Sequence, residues 1–202
     1  MENYINIKGK KIKLTEEQVE QIKASLGVES VRLADIKEGD TFKVRTHEFV
    51  VLEHSGDTTA VILKDILIHD QEFGKTNKYD CSYVDGACIK FAGEIAAIVG
   101  TENLVEHTVD LTSDDGLKDY GEVKRRMSLI TTEQYRRYVE ILDKHKPDER
   151  WWLATPHSTK RHENESWVKC VAPSGFISNF NYGGDGGVRP FCILKSNIFV
   201  SN

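Results

Sequence analysis

The C-terminal quarter of the chain constrains the fold more than any other part of the sequence. From Trp151 onward, aromatic and β-branched residues occur in short runs, and polar or glycine-rich turns separate one run from the next. Runs of this length and spacing are typical of β-strands joined by tight turns. The sequence therefore predicts antiparallel strands at Trp151–Leu153, Trp167–Val171, Gly175–Phe180, Val188–Leu194 and Ile198–Val200.

Upstream segments add a hairpin and two helices. The segments Thr41–Leu52 and Thr58–Leu63 are rich in Val, Ile, Phe and Thr and flank a Ser-Gly-Asp turn, which predicts a β-hairpin. Apolar residues recur at helical spacing over Cys88–Val99. A second helix is predicted from Thr131, where Gln134 completes a capping box. Together these elements predict an α+β fold with a twisted antiparallel sheet and two flanking helices.

The first thirty residues form a separate unit in the sequence pattern. A strand is predicted at Tyr4–Leu14, and Thr15 with Gln18 forms a capping box for a short helix that ends at Gly27. The apolar face of that helix consists of Val19, Ile22 and Leu26. We divide the chain into this strand-helix unit, residues 1–30, and a main domain, residues 31–202. Two roles of the first unit stay open: packing on the main domain, and self-association into a homo-oligomer.

Charge and composition limit which cell compartments and which classes of partner are expected. Nucleic-acid binding needs a basic face that displaces counterions from the phosphates. The formal net charge of -5 argues against such a face, so direct nucleic-acid binding is not expected. The N-terminus lacks the apolar region of a signal peptide, and no run approaches the roughly 18 apolar residues of a membrane span. We therefore expect a cytoplasmic protein without a membrane partner, whose four cysteines are reduced.

Several short motifs resemble ligand sites without meeting their requirements. Gly183–Gly187 is glycine-rich, but a strand follows it where a phosphate loop needs a helix, so a mobile hairpin loop with residues at positive φ is predicted. Asp110–Gly116 carries acids at the wrong positions for a calcium loop. His157 and His162 lie in a polar loop with no cysteine to complete a zinc site. The sequence thus predicts neither a metal ion nor a cofactor.

The segment Trp167–Tyr182 is the most informative for function. It combines aromatic rings with Ser, Asn and Gly, a mixture that antibody loops use for recognition. Two interpretations stay open, because alternate side chains of a strand face opposite ways: the rings are displayed at the surface, or they fill a small core. In the first, the loops Pro156–Glu165 and Phe176–Gly187 form the binding surface. Its residues are then His157, Lys160, Arg161, Phe176, Asn179, Phe180, Asn181, Tyr182 and Asp185.

Two motifs carry a family resemblance. The sequence Trp-Trp-Leu-Ala-Thr-Pro at residues 151–156, followed by Gly-Val-Arg-Pro-Phe at residues 187–191, resembles the signature pair of a domain family of unknown function in phages, prophages and gut firmicutes. The resemblance runs from Val31 to Val200. It implies a C-type-lectin-like fold, which formylglycine-generating enzymes share. It also implies that Trp151 anchors the core, that Trp152 lies nearer the surface as a binding residue, and that Arg189 is a structural guanidinium bonded to loop carbonyls.

The residues behind the known activities of that fold class are missing. The chain has none of the Glu-Pro-Asn, Gln-Pro-Asp or Trp-Asn-Asp triplets of calcium-dependent lectins, and Cys170 and Cys192 lack the close spacing of the enzymes' cysteine pair. We therefore expect a non-catalytic, phage- or prophage-encoded protein that engages a host protein or protein complex. An anti-defence role, for example anti-CRISPR inhibition of a host immune nuclease, follows from that setting. The alternatives are a small enzyme with Cys170 or Cys192 as reactive thiol, and a virion or assembly component.

Overall fold

The molecule has a mixed α+β fold made mostly of strands, with a curled antiparallel sheet and few helices. The computed structural model describes residues 3–7, 10–15, 17–18 and 30–201. The strands before the first long helix are β1 (Asn3–Ile7), β2 (Lys10–Leu14), β3 (Ser30–Arg32), β4 (Thr41–Val44), β5 (His47–Ser55), β6 (Thr58–Leu63) and β7 (Ile68–Glu72). The later strands are β8 (Leu104–Val105), β9 (His107–Asp110), β10 (Glu122–Arg125), β11 (Met127–Ser128), β12 (Trp151–Pro156), β13 (Trp167–Val171), β14 (Ile177–Asn181), β15 (Asp185–Val188), β16 (Phe191–Lys195) and β17 (Phe199–Ser201).

Two sheets organise the main domain. The larger has the order β11-β16-β6-β5-β4-β17-β3, with β8 also paired to β16. Strand β17 thus lies between β4 and β3, although β3 is the first of these strands along the chain. The smaller sheet has the order β14-β13-β12-β15-β7. One of its pairs, β12 with β15, is parallel, so the prediction of purely antiparallel strands after Trp151 was wrong at this pair.

Two predicted strands are interrupted. The predicted strand Thr41–Leu52 contains a tight turn, with Arg45 at φ 55°, and is therefore a hairpin of β4 and β5. The hairpin of β5 and β6 around the Ser-Gly-Asp turn is confirmed. The predicted strand Val188–Leu194 divides into β15 and β16 at Arg189 and Pro190. Proline supplies no N–H for a ladder, so it ends one strand before the next begins.

The two predicted helices are present, with different bounds. Helix α1 spans Tyr83–Val99 and begins before Cys88, because the Ser82 side chain accepts a hydrogen bond from the Asp85 N–H, at 3.1 Å. It ends at Gly100, at φ 92°. Helix α2 spans Thr132–Arg137 and has the predicted capping box of Thr131 and Gln134. A break at Tyr138 separates it from the short helix α3, Val139–Leu142.

Both tryptophans of strand β12 are buried, so the expectation that Trp152 lies near the surface was wrong. Trp152 faces one hydrophobic core, where its ring contacts Phe73, and its Nε1–H donates to the Gln71 carbonyl, at 2.8 Å. Trp151 faces a second core, against the Tyr135 ring. Because β12 is the central strand of its sheet and both faces are covered, all six of its residues are buried.

The N-terminal unit is described only in part. The predicted strand Tyr4–Leu14 is a two-stranded hairpin, β1 paired antiparallel with β2. The capping box is present: the Thr15 N–H donates to Gln18 Oε1 and the Gln18 N–H donates to Thr15 Oγ1, at 2.9 and 3.2 Å. The predicted apolar face of Val19, Ile22 and Leu26 lies outside the described residues.

The glycine-rich segment is folded differently from the prediction. Residues Asp185–Val188 form strand β15, and none of its glycines has a positive φ. The glycines serve close packing instead. A Cβ added at Gly186 would lie 2.7 Å from the Trp152 ring, and one at Gly184 would lie 2.3 Å from the Phe180 ring. Glycine is therefore required here because larger side chains would collide with the core aromatics.

None of the helices in the described part of the chain combines the length and apolar character that crossing a membrane requires.

Candidate functional site

Three predicted binding residues face the protein interior. Trp152 is fully buried. The Phe180 ring is half-buried, with its centroid 5.8 Å from that of Trp152, and the Arg150 guanidinium lies 3.9 Å above it. Tyr182 is half-buried against the same hydrophobic core. These rings therefore follow the second interpretation of the segment, in which alternate aromatics fill the core, and the prediction that they form a displayed surface was wrong.

The loop Pro156–Glu165 is bonded to an acidic loop of the same chain. Arg161 forms an ion pair with Asp119, and the Thr159 hydroxyl donates to the same carboxylate, at 2.7 Å. The Ser158 hydroxyl donates to Asp115, at 2.6 Å, and His162 Nδ1 lies 2.9 Å from that carboxylate. Among the predicted site residues of this loop, Lys160 is exposed and His157 is half-buried.

The electrostatics of Asp115 reflect these bonds. Burial raises the pKa of this carboxyl, but hydrogen bonds from Ser113, Ser158 and His162 outweigh the effect and hold the pKa well below its usual range. The loop's hydroxyl and imidazole groups are therefore engaged within the molecule rather than available to a ligand.

A buried asparagine fixes the same loop to the smaller sheet. Asn77 is fully buried, and its side-chain amide donates to the carbonyls of Ser158 and Trp167, at 2.8 and 3.0 Å. Its Oδ1 accepts a hydrogen bond from the Tyr120 hydroxyl, at 2.8 Å. Nothing in the local sequence of Asn77 predicts this role, because all three partners are distant along the chain.

Strands β13 and β14 present an outer face with exposed aromatic and amide groups. Trp167 is 42 % exposed and lies opposite Asn181 across the strand pair. Lys169 lies opposite Asn179, and its amine binds Asp114, at 3.0 Å. Phe176, which precedes β14, is 68 % exposed. Trp167, Lys169, Asn179 and Asn181 form the outer face of this strand pair, whereas Phe176 lies at the far end of the pair and on the other face. The buried Oδ1 of Asn179 has no partner in the described structure.

Asn181, Asp185 and Trp167 are all exposed. The Asn181 side chain accepts the Gly183 N–H, at 3.0 Å, so part of its role is to form the turn after β14. Asp185 is exposed at the start of β15. Trp167 was missing from the predicted site residues; it is the exposed first residue of β13, and the four residues that follow it are buried.

The two edges of the smaller sheet differ in charge. The β7 edge carries His69, Asp70 and Glu72, and Asp70 has a φ of 50°, which interrupts the regular extended backbone. The β14 edge, Ile177–Asn181, carries no charged residue. Natural proteins protect exposed edges with charges and irregular backbone, because a regular neutral edge is a template for another strand. Only the β7 edge is protected in this way.

Arg189 has the contacts expected of a buried structural guanidinium. Its Nε–H donates to the Leu63 carbonyl, at 2.8 Å, and an Nη2–H donates to the His145 carbonyl, at 2.9 Å. The guanidinium also lies 5.2 Å from the centre of the Trp151 ring. Burial lowers the pKa of Arg189 to about 10, because the charged form loses hydration.

The cysteines named as nucleophile candidates are both buried. Burial raises the pKa of Cys170 to about 11, and it also raises the pKa of Cys192. A reactive thiol needs exposure and a lowered pKa. The surroundings of Cys170 and Cys192 therefore favour packing over nucleophilic attack.

Other concave surfaces lie away from the predicted residues. A cavity of about 640 Å³ lies between helix α1 and strand β10. Its lining combines small residues of α1, among them Gly93 and Ala97, with the cations Lys124 and Arg126. Within the described ranges, no three His, Cys, Asp or Glu side chains converge as metal ligands.

Compared with protein-family models, with curated proteins and with solved structures, the chain matches none of them.

Proposed function

We propose that this chain is a non-catalytic binding protein that engages a protein partner through β14 and the outer face that it forms with β13. The observation that carries the proposal is the neutral edge strand β14, which has an exposed ring near each end of its pair with β13: Phe176 at one end and Trp167 at the other. Aromatic rings supply contact area with little loss of conformational entropy, and neighbouring amides supply adaptable hydrogen bonds. This surface retains the side chains of Phe176 and Asn181 from the predicted site and adds Trp167, while Asn179, whose Oδ1 is buried, contributes its backbone.

On the basis of the sequence resemblance, we also propose a C-type-lectin-like fold and a phage or prophage origin. The target is then a host protein, and the role is anti-defence in the cytoplasm. The two signature motifs contact each other, because the Arg189 guanidinium lies beside the buried Trp151 ring. This contact supports the proposal that the motifs belong to one structural unit. The thiol-enzyme alternative has less support, since both candidate thiols are buried with raised pKa values.

The test compares three immobilised forms of the full chain in a lysate of the host bacterium. The double variant Trp167→Ala/Phe176→Ala removes both exposed rings. Tyr83→Ala is the matched control, because Tyr83 is 43 % exposed but lies on helix α1. We expect one protein, identified by mass spectrometry, to be captured by the wild type and the control and lost with the double variant. Equal capture by all three forms would exclude this surface.

A further inference from the structure

The direction of the backbone groups in β14 follows from its pairing with β13. The Tyr182 N–H donates to the Ser166 carbonyl, at 3.0 Å, and the Ala172 N–H donates to the Phe176 carbonyl, at 2.9 Å. In an antiparallel pair, hydrogen-bonded and non-hydrogen-bonded positions alternate. The register therefore assigns the even-numbered residues of β14 to bonds with β13.

The odd-numbered residues, Ile177, Asn179 and Asn181, direct their N–H and C=O groups away from β13. Strand β14 is the last strand in its sheet. The Asn181 carbonyl accepts the Gly184 N–H of the following turn, at 2.9 Å. In the part of the chain that the structure describes, the backbone groups of Asn179 have no hydrogen-bond partner. The edge thus offers backbone donors and acceptors at the spacing of a sheet.

We propose that the partner binds as an extended segment that adds to β14 as a further strand, a binding mode that rests on the proposed function. Backbone hydrogen bonds provide affinity in this mode, and alternate side chains of the added segment provide specificity. The neutral edge admits such a segment, whereas the charged β7 edge opposes it. Alternate side chains of the segment would lie beside Asn179 and Asn181 on one face and beside Phe176 on the other, where the exposed ring offers apolar contact.

A second copy of the chain is a poorer occupant of the same edge. If two β14 strands paired antiparallel about Asn179, Phe176 would lie opposite Tyr182 of the other copy. Both copies, however, carry the same formal net charge of -5, and like net charges oppose self-association. A segment of a different protein need not carry that charge.

The test separates the backbone of Asn179 from its side chain. Asn179→Pro removes the outward N–H, which the fold does not use, and proline is tolerated at such edge positions. Asn179→Ala is the matched control, since it keeps the N–H and removes the side chain. The probe is a peptide selected from a displayed random dodecapeptide library on the immobilised full chain. Its Kd is measured by fluorescence polarisation, and the fold of each variant is checked by thermal unfolding.

We expect Asn179→Pro to raise the Kd at least about tenfold and Asn179→Ala to raise it less than about threefold, which is the signature of backbone pairing. The wild-type chain with bound peptide should also show slower hydrogen exchange at the Asn179 amide, a measurement that holds even if the proline variant does not fold.

Four results would overturn the addition of a partner segment to β14. Equal weakening by both variants would indicate side-chain recognition and leave the proposed function intact. Failure to select any peptide, or an unprotected Asn179 amide in the complex, would exclude an extended segment. A concentration-dependent dimer in sedimentation that Asn179→Pro abolishes would make a second copy the occupant. Failure of the proposed function itself is read separately, from unchanged lysate capture by the Trp167→Ala/Phe176→Ala variant.

Discussion

The loop Pro156–Glu165 and the strand β14 are both predicted from the sequence to recognise a partner, yet they have opposite surroundings in the structure. The loop's polar groups are bonded within the chain, to Asp115 and Asp119. Strand β14 has one backbone edge directed away from its sheet. Polar composition alone does not distinguish them, because hydrogen-bonding side chains are equally suited to internal and external partners. The two regions differ in whether the fold itself supplies their hydrogen-bond partners.

The largest expected effect on stability comes from removing the Asn77 side chain, which fixes the loop Pro156–Glu165 to the smaller sheet. Asn77→Ala leaves the carbonyls of Ser158 and Trp167 without their side-chain donor in a buried place. We expect the free energy of unfolding to fall by about 3 kcal/mol. Urea unfolding followed by tryptophan fluorescence measures it. The control Asn181→Ala, at the exposed edge, should cost less than about 1 kcal/mol. Equal costs would remove the contrast between the two regions.

The second effect tests the inward direction of the aromatic residues. Gly186→Ala places a methyl group 2.7 Å from the Trp152 ring, so either the ring or the strand must shift. Overpacking of this kind costs about 2 kcal/mol. At Gly183 the nearest atom to an added Cβ is Asn181 Oδ1, at 3.4 Å, and Gly183→Ala should be nearly neutral. Thermal unfolding compares the pair, and a neutral Gly186→Ala would mean that Trp152 can move outward.

The third effect concerns pH. The folded-state pKa of Asp115 is lowered, so its contribution is present above the unfolded pKa of about 4 and is lost as the pH falls through the folded value. Because the side chain is about a third exposed, we expect a contribution below about 1 kcal/mol. Asp115→Asn should lose stability at pH 7 and show a smaller further loss on acidification than the wild type. Parallel pH profiles would contradict the assignment.

The smallest effect is expected at the proposed interface. Phe176 is 68 % exposed, so Phe176→Ala should change the free energy of unfolding by less than about 0.5 kcal/mol. Urea unfolding measures the change. A loss of more than about 1.5 kcal/mol would show that the ring stabilises the fold and would weaken its assignment to binding.

Features decided by neighbouring residues were predicted from the sequence, and features decided by distant ones were not. The capping box of Thr131 and Gln134 and the turn between β5 and β6 involve residues a few positions apart, and both are present. The burial of Trp152 depends instead on Phe73, and the bonds of Ser158 depend on Asp115. A strand pattern indicates that two faces exist, but the rest of the fold decides which face is covered.

The insertion of β17 between β4 and β3 has a consequence for synthesis. The strand that holds β3 to the larger sheet is formed by residues 199–201. On a translating ribosome, Ser30–Arg32 therefore has no sheet partner until nearly the whole main domain has been made and residues 199–201 have left the exit tunnel. Pairing across so much sequence is slow to form. The larger sheet can thus reach its final strand order only late in biosynthesis, and a nascent chain stalled before that point would expose the edge of β4.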